Sequence, residues 1–117
     1  YESKNMLIKK SQAEEKKMPT CTVSEYQFSS KDLGVALVNM HGRYPETGKA
    51  MNTICDMIYH ITSGTGTIHT EKDSFKVEKG DSYFFDKNTW YWIEANNLEV
   101  CLTTAPNWYV EQYKTLE

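Results

Sequence analysis

The chain has 117 residues, with 13 Lys and Arg against 16 Asp and Glu and a formal net charge of −3. That length suits one domain with a single core, and the acidic balance, with no basic stripe beyond the N-terminal third, argues against a nucleic-acid partner. Three scattered cysteines (Cys21, Cys55 and Cys101) with no Cys-x-x-Cys pair exclude a disulfide framework, a zinc knuckle and a thioredoxin-type motif.

No apolar run approaches the length of a membrane span and no signal-peptide pattern is visible at the start, so the expectation is a cytoplasmic protein with no membrane partner. Aromatic residues make up 13% of the chain. They pack well on pleated surfaces and line ligand cavities, which suits a β fold with a pocket.

In chain order, Met6–Lys10 reads as a short N-terminal strand, and the charged run Ser11–Lys17 as a solvated turn or loose helical turn. Thr20–Phe28 alternates and is rich in β-formers, which predicts a strand. Val35–Met40 is the next strand, nearly continuous in apolar residues. The segment Gly42–Gly48 reads as a loop whose Gly and Pro fix turns. Asn52–Thr62 and Gly66–Thr70 read as a hairpin around Gly64, followed by a turn at Lys72-Asp73 and a strand at Ser74–Glu78 with one wet face. Asp81–Asp86, Thr89–Glu94 and Leu98–Thr104 complete the strands, with Asn96-Asn97 as a tight turn. Pro106 and Trp108–Tyr113 form an ordered tail or short helix.

Two segments are apolar on both faces. Between Cys55 and Ile61, the residues Cys55, Met57, Tyr59 and Ile61 alternate with Asp56, Ile58 and His60. Between Thr89 and Ile93, Trp90 and Trp92 oppose Tyr91 and Ile93. A strand apolar on both faces is buried on both. One side belongs to a barrel interior, so the outer side predicts a homodimer, or else cover by the chain's own N-terminal strand or C-terminal tail.

The strand at Met57–Thr62, the Gly64-x-Gly66 turn, and Lys79-Gly80-Asp81 ahead of an aromatic strand together resemble the core of the cupin superfamily, spanning residues 42–105. The likeness extends to short prokaryotic single-domain cupins of undetermined function through several motifs. These are Cys21-Thr22-Val23 with Tyr26, Gly42-Arg43-Tyr44-Pro45 with Gly48, Asn52, Cys55, and Thr103–Tyr109 with Glu111-Gln112. The resemblance implies an all-β double-stranded β-helix, a jelly-roll or cupin barrel. Residues 1–33 would supply N-terminal strands and an arm, 34–105 the barrel core, and 106–117 a tail.

The resemblance also implies where a metal would sit, and this sequence departs from the pattern there. Counted back from Gly64, the glutamate position holds Met57, and the two histidine positions fall within Ala50–Thr53. Counted on from Gly80, the proline, glycine and histidine positions hold Asp86, Asn88 and Tyr91. All four ligand positions are replaced, so neither a metal nor another cofactor is expected.

The site expectation follows from these substitutions. Arg43, Asn52, Cys55, Met57, Tyr59 and Tyr91 would line a barrel mouth that takes a small polar or anionic molecule, sugar-like in one version. Arg43 offers a bidentate fork for a carboxylate or phosphate, or else braces the Gly42–Gly48 loop. Asn52 binds ligand or caps a turn. Tyr91, standing at the lost histidine position, hydrogen-bonds the ligand or merely plugs the vacated space. Cys55 reads as a buried thiol near Cys101, and Trp90 and Trp92 as packing aromatics. His60 falls on the outer face, and His41 and His69 read as solvent-exposed.

Two further functional readings remain open. One is a metal-independent sugar isomerase or epimerase with Tyr91 as acid and no identified base. The other is a metal enzyme with unusual ligands such as His60 and Cys55, against which their opposite facing counts.

Overall fold

The computed structural model describes residues 5–117. It contains nine strands, all paired antiparallel: β1 (Glu14–Lys17), β2 (Cys21–Tyr26), β3 (Gly34–Tyr44), β4 (Lys49–Asn52), β5 (Asp56–Thr70), β6 (Ser74–Glu78), β7 (Ser82–Phe85), β8 (Tyr91–Ala105) and β9 (Tyr113–Leu116). Short 3-10 turns occupy Lys10–Gln12 and Val110–Gln112. The long strands β5 and β8 run side by side as a spine. On the far side of β8 come β3, β2 and β1 in order, while β7 and β6 share the free edge of β5. The sheet curls on itself into a barrel-like wall, with β4 and β9 extending from the start of β8.

The curl has a local cause. Strand pairing slips between Met40 and Gly42 in β3, and between Ile61 and Thr65 in β5. Gly64 (φ +79) and Asn97 (φ +48) take left-handed backbone at this level of the sheet. The backbone N–H of Asn97 donates to His41 Nδ1 at 3.2 Å. Bulges at one level in three neighbouring strands bend them together, which closes a sheet more sharply than twist alone.

Several sequence expectations change here. Gly64 is not a hairpin turn, because β5 continues through it to Thr70, and Asn96-Asn97 lie within the unbroken β8. A bulge and a turn both call for left-handed backbone, so the same residues serve either. Asn52 ends β4, and residues 53–55 separate it from β5. Gly42, Arg43 and Tyr44 extend β3 rather than forming loop. Met6–Ile8 is not a strand, whereas Glu14–Lys17 is one, held as β1 by pairing with Thr22–Glu25 and by the Lys16–Glu25 ion pair at 3.0 Å. The tail ends in β9, paired with β4.

Alternation along the spine separates the two faces as expected. Met57, Tyr59 and Ile61 are buried on the inside, while Ile58 and His60 are exposed outside. Inner-face rows run straight across four strands: Gly34, Thr104, Met57 and Phe85 in one, then Ala36, Leu102, Tyr59 and Tyr83 in the next. Below them Val38, Val100 and Ile61 fill the core with Ile68, Ile93 and Leu98. Burying each such aliphatic side chain stabilises the fold by about 1.5–3 kcal/mol.

Candidate functional site

Above that aliphatic layer the barrel keeps a cavity of about 410 Å³. Its wall includes Tyr44 from the end of β3, Asn52 from β4, Met57 and Tyr59 from β5, Tyr91 from the start of β8, and Trp108 and Tyr113 from the C-terminal segment. Cys21, Val23, Met40 and Leu102 supply apolar floor, and Lys16 and Glu25 stand at its β1–β2 side. Phe85 packs behind the wall, its ring edge-on to Tyr59 and tilted to Tyr91, with centroids 4.8 Å from both.

The polar groups form a connected set. Tyr44 and Tyr113 share a hydroxyl–hydroxyl bond of 2.7 Å. Tyr91 lies within hydrogen-bonding reach of Tyr59 and Asn52. Asn52 is a hub: its Oδ1 accepts from Trp108 Nε1 at 2.8 Å and from Gln112 Nε2 at 3.1 Å, and its Nδ2 points at Met57 Sδ, 3.1 Å away. Gln112 Oε1 in turn accepts from the backbone N–H groups of Ile54 and Cys55, at 3.0 and 3.1 Å. The C-terminal segment is thereby tied into the site by buried side-chain bonds. Removing one partner of such a buried bond costs more than the bond itself contributes.

Burial is the first cause of every phenol shift in this set. It holds Tyr91, Tyr59 and Tyr44 well above the ordinary tyrosine range, and Tyr113 above it as well, with neighbouring phenols adding to the effect for the first three. All four stay protonated at neutral pH. They are hydrogen-bond donors, or acids, and not bases. Burial also raises the Cys21 thiol, which leaves it a poor nucleophile.

The six residues singled out from sequence divide in two. Asn52, Met57, Tyr59 and Tyr91 come together on the cavity wall. Arg43 does not join them. It points to the outer side of the sheet, where its guanidinium donates to the carbonyls of Pro45 (2.7 Å) and Gly48 (2.8 Å), bracing the loop. Cys55 is fully buried and donates to the Pro106 carbonyl at 3.2 Å, away from the cavity.

Nor is Cys55 near Cys101. Cys101 is opposite Leu37 and His60 on the outer face, while Cys55 is buried against Pro106, so His60 and Cys55 do not come together. His69 is largely covered rather than exposed, stacked on Trp92 with centroids 5.2 Å apart. Sequence reasoning missed Tyr44, Trp108, Gln112 and Tyr113 as site residues. Tyr44, Trp108 and Gln112 stood in motifs that carried the family likeness, and Trp108 and Tyr113 in an aromatic-dense tail, but neither signal gave them a place on the cavity wall.

The resemblance to metal-binding cupins implies a metal, and the residues present do not fit one. Met57, Asn52 and Tyr91 replace hard ligands, and among the described residues no three His, Cys, Asp or Glu side chains come together. No buried side-chain nitrogen or oxygen among them lacks a hydrogen-bond partner.

No family model matches the chain, and no curated protein matches it by sequence. Solved structures match it in shape. Pac13 from Streptomyces, described as a nucleoside dehydratase and also solved with uridine, superposes with a TM-score of 0.87 at 15% identity, covering 97% of this chain and 92% of that one. KdgF from Halomonas sp. gives 0.74 at 14% identity, covering 89% and 96%. Ectoine synthase from P. lautus gives 0.77 at 9% identity, covering 97% and 91%. All are cupins, and with them this chain shares the fold of the cupin superfamily.

Proposed function

We propose that the chain binds a small, uncharged, polar molecule with a planar ring in the barrel cavity, without a metal. The observation that carries this reading is the wall itself: aromatic rings for stacking, with Tyr44, Tyr59, Tyr91, Tyr113 and Asn52 supplying directed hydrogen bonds. A ligand site of a few hundred Å³, mostly apolar with a few convergent polar groups, is the ordinary form of a small-molecule pocket. The anionic version of the ligand loses its charge partner, because Arg43 is spent on loop carbonyls. The Pac13 structures with uridine support a ligand of nucleoside character.

An isomerase-, epimerase- or dehydratase-like activity is the second reading. Tyr91, kept protonated by burial, would be the acid in that reading, though a weak one. Among the described residues the only carboxylate on the wall, Glu25, is held by Lys16 at 3.0 Å, which leaves the reading short of a base. Binding without turnover therefore stands first.

Thermal shift and calorimetry with nucleosides, neutral sugars and carboxylates test the proposal. A nucleoside should stabilise the protein, and Tyr91→Phe should weaken its binding about 2- to 10-fold, the worth of one neutral hydrogen bond. Stabilisation by carboxylates alone, or binding indifferent to both Tyr91→Phe and Tyr59→Phe, would overturn it. We also propose a cytoplasmic homodimer, paired through the outer face of the spine.

A further inference from the structure

On the outer face, away from the cavity, β8, β5 and β6 carry a second set of chemical groups. His69 is directly opposite Trp92 on β8 and Ser74 on β6. Both of its ring nitrogens are engaged: Nδ1 with Ser74 Oγ at 2.6 Å, and Nε2 with Glu94 Oε1 at 2.7 Å. An ionised carboxylate only accepts, so Glu94 fixes the proton of the neutral ring on Nε2. Nδ1 is then a lone pair, and the bond to Ser74 runs from the hydroxyl to the ring. This is the tautomer a general base needs, with a hydroxyl on one nitrogen and a carboxylate on the other.

Three surroundings suit the same chemistry. The ring is clamped parallel to Trp92, with an interplanar angle of 7°, and Lys49 Nζ stands 5.3 Å from the Trp92 centroid. Ser74 itself is exposed, so its oxygen is open to an incoming molecule. An open groove of about 810 Å³ reaches Glu94, the outermost of the three residues, with Thr67 and Lys76 also on its walls. Lys76 follows Ser74 by two residues on the same face, about 6.7 Å along the strand, and makes no ion pair. Its ammonium can reach over the carbonyl that Ser74 would attack.

The geometry points to a second, hydrolytic site in which Ser74 is an acyl-accepting nucleophile, His69 its base, and Glu94 the residue that positions His69, acting on small carboxylic esters. Ser74 Oγ forms a bond to the ester carbonyl carbon as its proton passes to Nδ1. The bond from that carbon to the alcohol oxygen breaks, and the alcohol leaves with the proton. Water then repeats the sequence on the acyl-serine, giving the carboxylic acid and restoring the hydroxyl. The step needs no co-reactant beyond water.

A similar pair provides an internal control. His60 Nδ1 bonds Ser82 Oγ at 2.7 Å on the same outer face of β5, with no carboxylate on its other nitrogen.

The experiment follows release of nitrophenolate from 4-nitrophenyl acetate, with mass spectrometry of the quenched protein. The full chain should exceed the buffer rate and carry an acetyl group on the Ser74 peptide. Ser74→Ala and His69→Gln should return the rate to background, a loss on the order of 10²-fold if the base acts fully. Glu94→Gln should lower kcat with KM held, and Glu94→Asp should restore part of it. His60→Ala should change nothing. Ser74→Cys keeps a nucleophile in place and should still acylate, which separates lost chemistry from lost folding. A rate equal to background, or acetylation of lysines alone with Ser74→Ala as active as the parent chain, would overturn the proposal.

Discussion

Tyr59 and Tyr91 are buried phenols that hold each other's hydroxyl in reach, and burial raises both above the ordinary tyrosine value. In the unfolded chain both ionise near the model-peptide value of about 10. Above that pH the unfolded state binds fewer protons than the folded one, so stability falls as pH rises, by about 1.4 kcal/mol per pH unit for each phenol kept neutral. Below that pH the term vanishes. Urea midpoints should therefore be flat to about pH 9 and drop steeply by about pH 11, with Tyr59→Phe making the drop shallower. A flat profile to high pH would mean that the phenols ionise in place.

The facing of Tyr59 and its neighbours was legible, because once Met57 stands at the family's inward ligand position, period-two alternation puts Tyr59 inside and His60 outside. For Arg43 the sequence left two roles open, ligand partner or brace of the Gly42–Gly48 loop. The structure shows the brace, because the choice depends on a loop conformation that no motif spells out. His69 was illegible for another reason. Its partners, five and 25 residues away, meet it only through cross-strand register.

At the scale of elements, glycines that look alike in sequence do different work. Gly64 sits in left-handed backbone at φ +79, and a Cβ there would meet the Asn97 carbonyl oxygen at 1.9 Å. Gly80 has φ +95, with nothing within 4 Å of such a Cβ. Gly80→Ala meets only the backbone penalty, about 1–2 kcal/mol. Gly64→Ala adds a clash with the β8 backbone, so its loss should exceed that of Gly80→Ala by at least about 1 kcal/mol. Paired denaturant curves of the two variants check the order, and equal losses would mean that β5 and β8 can separate at the bulge without cost. The same comparison explains why Gly64-x-Gly66 reads as a hairpin from sequence. The need for positive φ is local and visible, whereas the decision to continue or double back is made by pairing with a strand some 30 residues away. The β6 and β7 strands, bounded by real turns at Lys72-Asp73 and Lys79-Gly80, were correspondingly legible.

At the scale of the molecule, the outer face is where the chain's own cover runs out. Trp92, one reason to expect a partner, is screened by His69 and Lys49 from within the chain. A different stripe remains. Val35, Thr103, Ile58 and Phe84 stand in one register row across β3, β8, β5 and β7, with Ile58 43% and Phe84 57% exposed. The next row, Leu37, Cys101, His60 and Ser82, has no Lys, Arg, Asp or Glu. A two-fold copy would therefore bring apolar side chains together without opposing like charges. Sedimentation and light scattering should give twice the chain mass at micromolar concentration. Ile58→Lys with Phe84→Lys should shift the protein to monomer while leaving ligand binding in the barrel intact, because both side chains point away from the cavity. A parent chain that stays monomeric as concentration rises, or a double variant that stays dimeric, would remove this face as the interface.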